Sequence, residues 1–218
     1  MLRAILGLVF ALSTVPAHGS ADGGKVEAVG AFSDPAASDS VRKALEPRGS
    51  RVTLSDGTIA CEIWLRSAAP AGKTEAPGAV YKTLSESSLI GVITFPKATS
   101  DFRGQSVKPG AYTLRYALHP SDGNHLGISP LRDFLVMIPI SVDQNADAQY
   151  KFEELVKMSA KASGTNHPAV ISLVLPEARP APGLVENEHG HLVFVTRIKS
   201  QSGADVPIAF VVRGVTEQ

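Results

Sequence analysis

Lys108-Pro-Gly-Ala-Tyr-Thr-Leu-Arg-Tyr-Ala-Leu-His119 is the stretch whose pattern decides the fold. Pro109-Gly110 makes a tight turn, because proline presets its own φ and glycine tolerates a positive one. Beyond it Tyr112, Leu114, Tyr116 and Leu118 point one way, while Thr113, Arg115, Ala117 and His119 point the other. A period of two with one apolar face predicts a half-buried β-strand.

The same rhythm extends outward in both directions. Ile59–Arg66, Leu89–Phe95, Ala169–Leu175, Leu192–Lys199 and Val206–Arg213 are short apolar runs punctuated by Gly, Pro, Asp and Ser. Phe134–Ile138 is apolar on both faces, which predicts a central strand covered on both sides. Many short strands separated by turn signals predict an all-β, two-sheet antiparallel sandwich. Between Val41-Arg-Lys-Ala-Leu45 and Arg51-Val-Thr-Leu54, Pro47-Arg48-Gly49 reads as a hairpin turn. The first of these runs reads alternatively as a short helix capped by Ser38 or Ser40.

One segment departs from period two. Ala148, Phe152, Leu155, Ser159 and Ala162 recur at helical spacing, opposite Lys151, Glu154, Lys157 and Lys161. The spacing predicts a helix over residues 146–162, capped by Asn145 or Asp147 and closed by Gly164.

The N-terminus reads differently from the rest. Arg3 precedes a short apolar run, Ala4–Val15, followed by Pro16 and small residues. This is the pattern of a cleaved signal peptide, and the run is shorter than the roughly 20 residues a membrane-spanning helix needs. Residues 1–19 are read as signal peptide, cut after Ala17 or Gly19, 20–25 as flexible leader, and 26–218 as one β-sandwich domain. The expected location is periplasmic or secreted.

Composition narrows the partners. Of 218 residues 44% are apolar and 19% charged, and Lys+Arg and Asp+Glu both number 21. The balance argues against nucleic acid, whose binding proteins carry basic patches, and there is no polybasic stretch for a membrane surface. Cys61 is the single cysteine and lies in phase with Ile59, Ile63 and Leu65, which reads as a small hydrophobe in a buried strand.

Candidate functional residues fall into three sets. Arg115, His119, Asp122, His125, Arg132 and Asp133 form a polar cluster around one loop, read either as a ligand-gripping surface or as ion pairs pinning strand ends. His119, Asp122 and His125, together with His189 and His191, form a nitrogen and carboxylate set suited to zinc or copper if the two segments meet. Trp64, flanked in phase by Glu62 and Arg66, is an aromatic platform for a glycan if exposed. Hydrolase elbows, phosphate loops, His-Glu-x-x-His and Cys-x-x-Cys are missing from the sequence.

The stretch Phe102–Tyr116, with Asp122–Gly127 and Arg132-Asp-Phe134, resembles a group of uncharacterised exported bacterial proteins, as do Glu62–Leu65 and Leu89–Ile93. The resemblance implies a β-sandwich and an envelope location, and carries no activity. The functional expectation is a non-enzymatic envelope module binding a protein or glycan partner, or supporting an assembly. Metal binding is the alternative.

Overall fold

The computed structural model describes residues 24–72, 77–120, 131–176 and 182–216. The predicted signal peptide, Asp122 and His125 lie outside the described residues. Strand β7 (Gly110–Leu118) alternates as the sequence predicts, but it is buried on both faces. Tyr112, Leu114, Tyr116 and Leu118 enter the main core. Thr113, Arg115 and Ala117 point the other way and are equally covered. The half-buried strand expected there is thus a central one, because segments returning after the next strand roof its outer face.

Around β7 the chain lays down β1 (Lys25–Val29), β2 (Gly49–Thr53), β3 (Ile59–Leu65), β4 (Leu89–Phe95) and β8 (Asp133–Pro139). After these come β9 (Ala169–Val174), β10 (Gly183–Glu186), β11 (Leu192–Lys199) and β12 (Asp205–Arg213). A separate two-strand ribbon pairs β5 (Thr99–Ser100) with β6 (Ser106–Val107). The strands expected to divide between two sheets are instead hydrogen-bonded into one antiparallel sheet. Its order is β1-β2-β3-β4-β7-β8-β9-β12-β11-β10. This sheet curls until its terminal strands β1 and β10 touch without sharing a ladder, close to a barrel. Its narrowest join is β9 to β12, where only Ala209↔Val174 and Phe210↔Leu173 pair.

Apolar layers line both sides of the wall. Inside, Val52, Ile63, Leu114, Leu135, Phe194 and Phe210 belong to one continuous core. Cys61 sits among them, fully buried as its phase predicts. Burial pushes its thiol pKa well above the ordinary value, since a thiolate there would lose its hydration. A register shift between Leu89 and Gly91 turns both Ile90 and Ile93 inward.

Helix α1 (Asp39–Ala44) realises the helical alternative for its stretch, with the Ser38 hydroxyl accepting from the Val41 amide. Helix α2 (Phe152–Ser163) packs on β8 and β9. Leu155, Ser159 and Ala162 are its buried residues, and Glu154, Lys157 and Lys161 face outward. The Ser159 hydroxyl donates to the Met137 carbonyl and accepts from the Ala169 amide, so the helix is hydrogen-bonded to both strands. Gly164, at φ 69°, closes it as expected.

The helix starts six residues later than the spacing predicts. Neither Asn145 nor Asp147 caps it. Glu154 accepts from the Lys151 amide at its true first turn. Residues 143–150 are held in an irregular path by side chains from the sheet. No helix among the described residues is long and apolar enough to cross a membrane.

Candidate functional site

Among the described residues, Arg115 gathers none of the polar side chains predicted to cluster with it; its partners come from the chain after β8 and from Ser87. Its guanidinium forms two parallel bonds with Asp143, Nε to Oδ2 at 2.6 Å and Nη2 to Oδ1 at 2.8 Å. It also donates to the carbonyls of Ser87, Asn145 and Ala148, and stacks 4.8 Å from the Tyr150 ring centroid. Thr113 adds a third bond to Asp143 at 2.7 Å. Both charged side chains are fully buried. Arg115 therefore fastens the 143–150 segment over β7 and presents no surface to a ligand.

Arg66 works beside it, donating to the Ala146 carbonyl and to Asp147. Ser87 completes the frame. Its φ of 65° is unusual for a residue with a side chain. That turn aims its carbonyl at Arg115 while its hydroxyl accepts from the Tyr150 amide.

Asp133 is also spent internally. It does not pair with Arg132 or Arg115. Its carboxylate accepts from the amides of Val80 and Tyr81 and from the Tyr116 hydroxyl at 2.6 Å. Burial, reinforced by that bond and by the nearby charge, raises the Tyr116 pKa. Arg132 donates to the carbonyls of His119 and Pro77, tying the end of β7 to the segment before β4. Asp101 likewise accepts from the amides of Arg103, Gln105 and Val170. In place of the ion pairs predicted at the strand entrance, the carboxylates of Asp133 and Asp101 are bonded to backbone amides. The ligand-gripping cluster built on Arg115 and Asp133 is thereby corrected.

Trp64 is corrected as well. It is 5% exposed, its Nε1 donates to the Gly30 carbonyl at 2.8 Å, and Phe32 packs over it at 5.1 Å between centroids. The chain preceding α1 covers the indole, so it offers no face to a sugar.

The candidate ligand histidines among the described residues fall in two places. His119 stacks on Phe134 with centroids 4.2 Å apart. His189 and His191 do come together, 5.7 Å between centroids, on the β10–β11 hairpin. His191 sets Nε2 3.0 Å from the Val215 carbonyl and its ring edge against Phe102. His189 is exposed, 3.7 Å from the Glu188 carboxylate. Among the described residues no three His, Cys, Asp or Glu side chains gather in a metal-binding set.

One concave feature escaped the sequence reading. A cleft of about 210 Å³ opens on the outer face of β10 and β11. Its walls are Val174, Leu175, Val185, Val193 and Val195, and Asn187, Glu188 and His189 line it from the hairpin. Pairing explains the aliphatic wall: Val185↔Val193 lie opposite one another across the ladder, and Val195 stands opposite Gly183, which contributes no side chain. Leu175, which lines the cleft, is 63% exposed. A second hollow, about 250 Å³, lies over β3, β4 and β7, but its Glu62 is already paired with Arg51 at 2.6 Å. Compared with known proteins, the chain matches no family model, no curated sequence and no solved structure.

Proposed function

We propose that this chain is a non-enzymatic exported envelope module, periplasmic or secreted, that binds a partner through the cleft on β10 and β11. The observation that carries the reading is how polar groups are used. Arg115, Asp143, Asp133, Asp101 and Arg66 are buried and bonded within the fold. Among the described residues no buried side-chain polar atom lacks a partner. The aliphatic cleft with a polar rim is the pattern of a binding pocket. Its volume suits a small group or one side chain of a larger partner. The narrow β9–β12 seam, and the approach of β12 to β3 across the core, support regarding the near-barrel as a flattened, sandwich-like one. The apolar run Ala4–Val15 supports export.

Two measurements test the proposal. Expressed with a C-terminal tag in a bacterial host with two membranes, the protein should be recovered outside the cytoplasm with a mass beginning at His18 or Ser20. An uncut cytoplasmic chain sinks the export claim. Small organic solvents followed by NMR should perturb Val174, Leu175, Val185, Val193 and Val195 together. Scattered perturbation sinks the cleft.

A second reading, zinc or copper binding by His189 and His191 with a further donor from outside the described residues, is favoured by the proximity of those two rings. Titration calorimetry decides it: without stoichiometric zinc or copper uptake the reading ends.

A further inference from the structure

We infer that the β10–β11 cleft takes a short aliphatic chain ending in a primary ammonium group. The inference rests on the cleft being the binding surface, and adds the chemistry of what fills it. The cleft, about 210 Å³, has room for a short hydrocarbon chain. Branched aliphatic walls from Val174, Leu175, Val185, Val193 and Val195 suit the hydrocarbon part.

The rim sets the sign of the polar end. Glu188 lines the cleft with a side chain 88% exposed, and neither Lys nor Arg is among the described residues that line it. Its ion-pair partner among the described residues is His189, at 3.7 Å, which carries charge only when protonated. The Asn187 side-chain oxygen is already occupied, accepting from the amides of His189 and His191. Glu188 therefore sets a carboxylate beside the apolar walls, where it meets whatever projects from them. An ammonium group is attracted there and a carboxylate repelled.

The test compares n-hexylamine, hexanol and hexanoate on the full mature protein, following backbone and methyl NMR signals of Val193 and Val195. Hexylamine should bind about fivefold more tightly than hexanoate, the scale expected of one exposed charge acting in opposite senses. Glu188→Gln should remove that preference while leaving hexanol binding unchanged. Leu175→Ala should weaken all three. Both substitutions are at exposed positions, so neither threatens folding. Hexanoate binding as well as hexylamine, or an unchanged preference in E188Q, overturns the ammonium assignment. If solvent mapping succeeds while amine preference is absent, the ligand class alone is wrong. If none of the three probes perturbs the cleft, the binding surface falls with it.

Discussion

Arg115 and Asp143 meet through two parallel hydrogen bonds with neither side chain exposed, joining strand β7 to a segment 28 residues further along. A carboxylate and a guanidinium removed from water are each costly, and the pair is tolerable because every donor has a partner. Asp143→Asn should therefore cost about 3–5 kcal/mol, since it strands a buried cation. Urea denaturation measures it. Replacing both residues with apolar ones, Arg115→Met with Asp143→Leu, should cost less than the single change. A single substitution costing under about 1 kcal/mol would mean water reaches the pair.

What the sequence made legible followed from side-chain periodicity. Leu89–Phe95 and Leu192–Lys199 coincide with the strands expected, and Phe134–Ile138 is buried on both faces as its apolar run implied. Periodicity reports which face a residue takes, but not how far around the sheet continues. The two sheets expected are one because β9 reaches β12 through only two residue pairs, a join that no local pattern encodes.

The polar residues are visible in the sequence, but their partners are not. Arg115 reads as an outward residue because β7 alternates. Its burial depends on Asp143, Asn145 and Ala148 folding back over it. That same grip shortened α2 from its predicted start. Trp64 failed as a platform for a similar reason: Phe32 covers it from a segment with no periodic signal. The cleft was illegible because Leu175 and Glu188 come to line one hollow through the non-sequential strand order β9-β12-β11-β10, which no local pattern encodes.

Gly91 shows where a small residue is obligatory. A Cβ built there would lie 2.3 Å from the Trp64 carbonyl oxygen, which belongs to the adjoining strand backbone. No rotamer relieves a clash with backbone, so β3 and β4 would have to separate. Gly91→Ala should cost about 1–3 kcal/mol, the range of an overpacked core, read from the denaturation midpoint. Unchanged stability would show that β4 can shift at its bulge.

Cys61 should be chemically silent in the folded protein. Its side chain is fully buried and its pKa raised by desolvation, with the Glu62 charge adding to the rise. Thiol reagents need exposed thiolate. An aromatic disulfide reagent should label none of the native protein within the time it labels the urea-unfolded chain completely. Rapid native labelling would mean that β2 and β3 separate readily. Cys61→Ala should retain the fold.

Tyr81 pegs the weakest join in the sheet. Its hydroxyl donates to the Val174 carbonyl at 2.5 Å and accepts from the Ala209 amide at 3.1 Å, bridging β9 and β12 where their own pairing stops. The ring belongs to the main core, and Asp133 holds its backbone amide at 2.9 Å. Tyr81→Phe keeps the ring and removes the bridge, leaving a buried donor and a buried acceptor without it. The expected cost is about 1–3 kcal/mol. Location distinguishes this from general destabilisation: the Ala209 amide should exchange with solvent faster in the variant, beyond what the global loss explains, while amides in the β4–β7 ladder slow down or speed up only with global stability. Uniform acceleration across all strands would show that the seam opens only when the whole sheet does, and that Tyr81 contributes packing rather than closure.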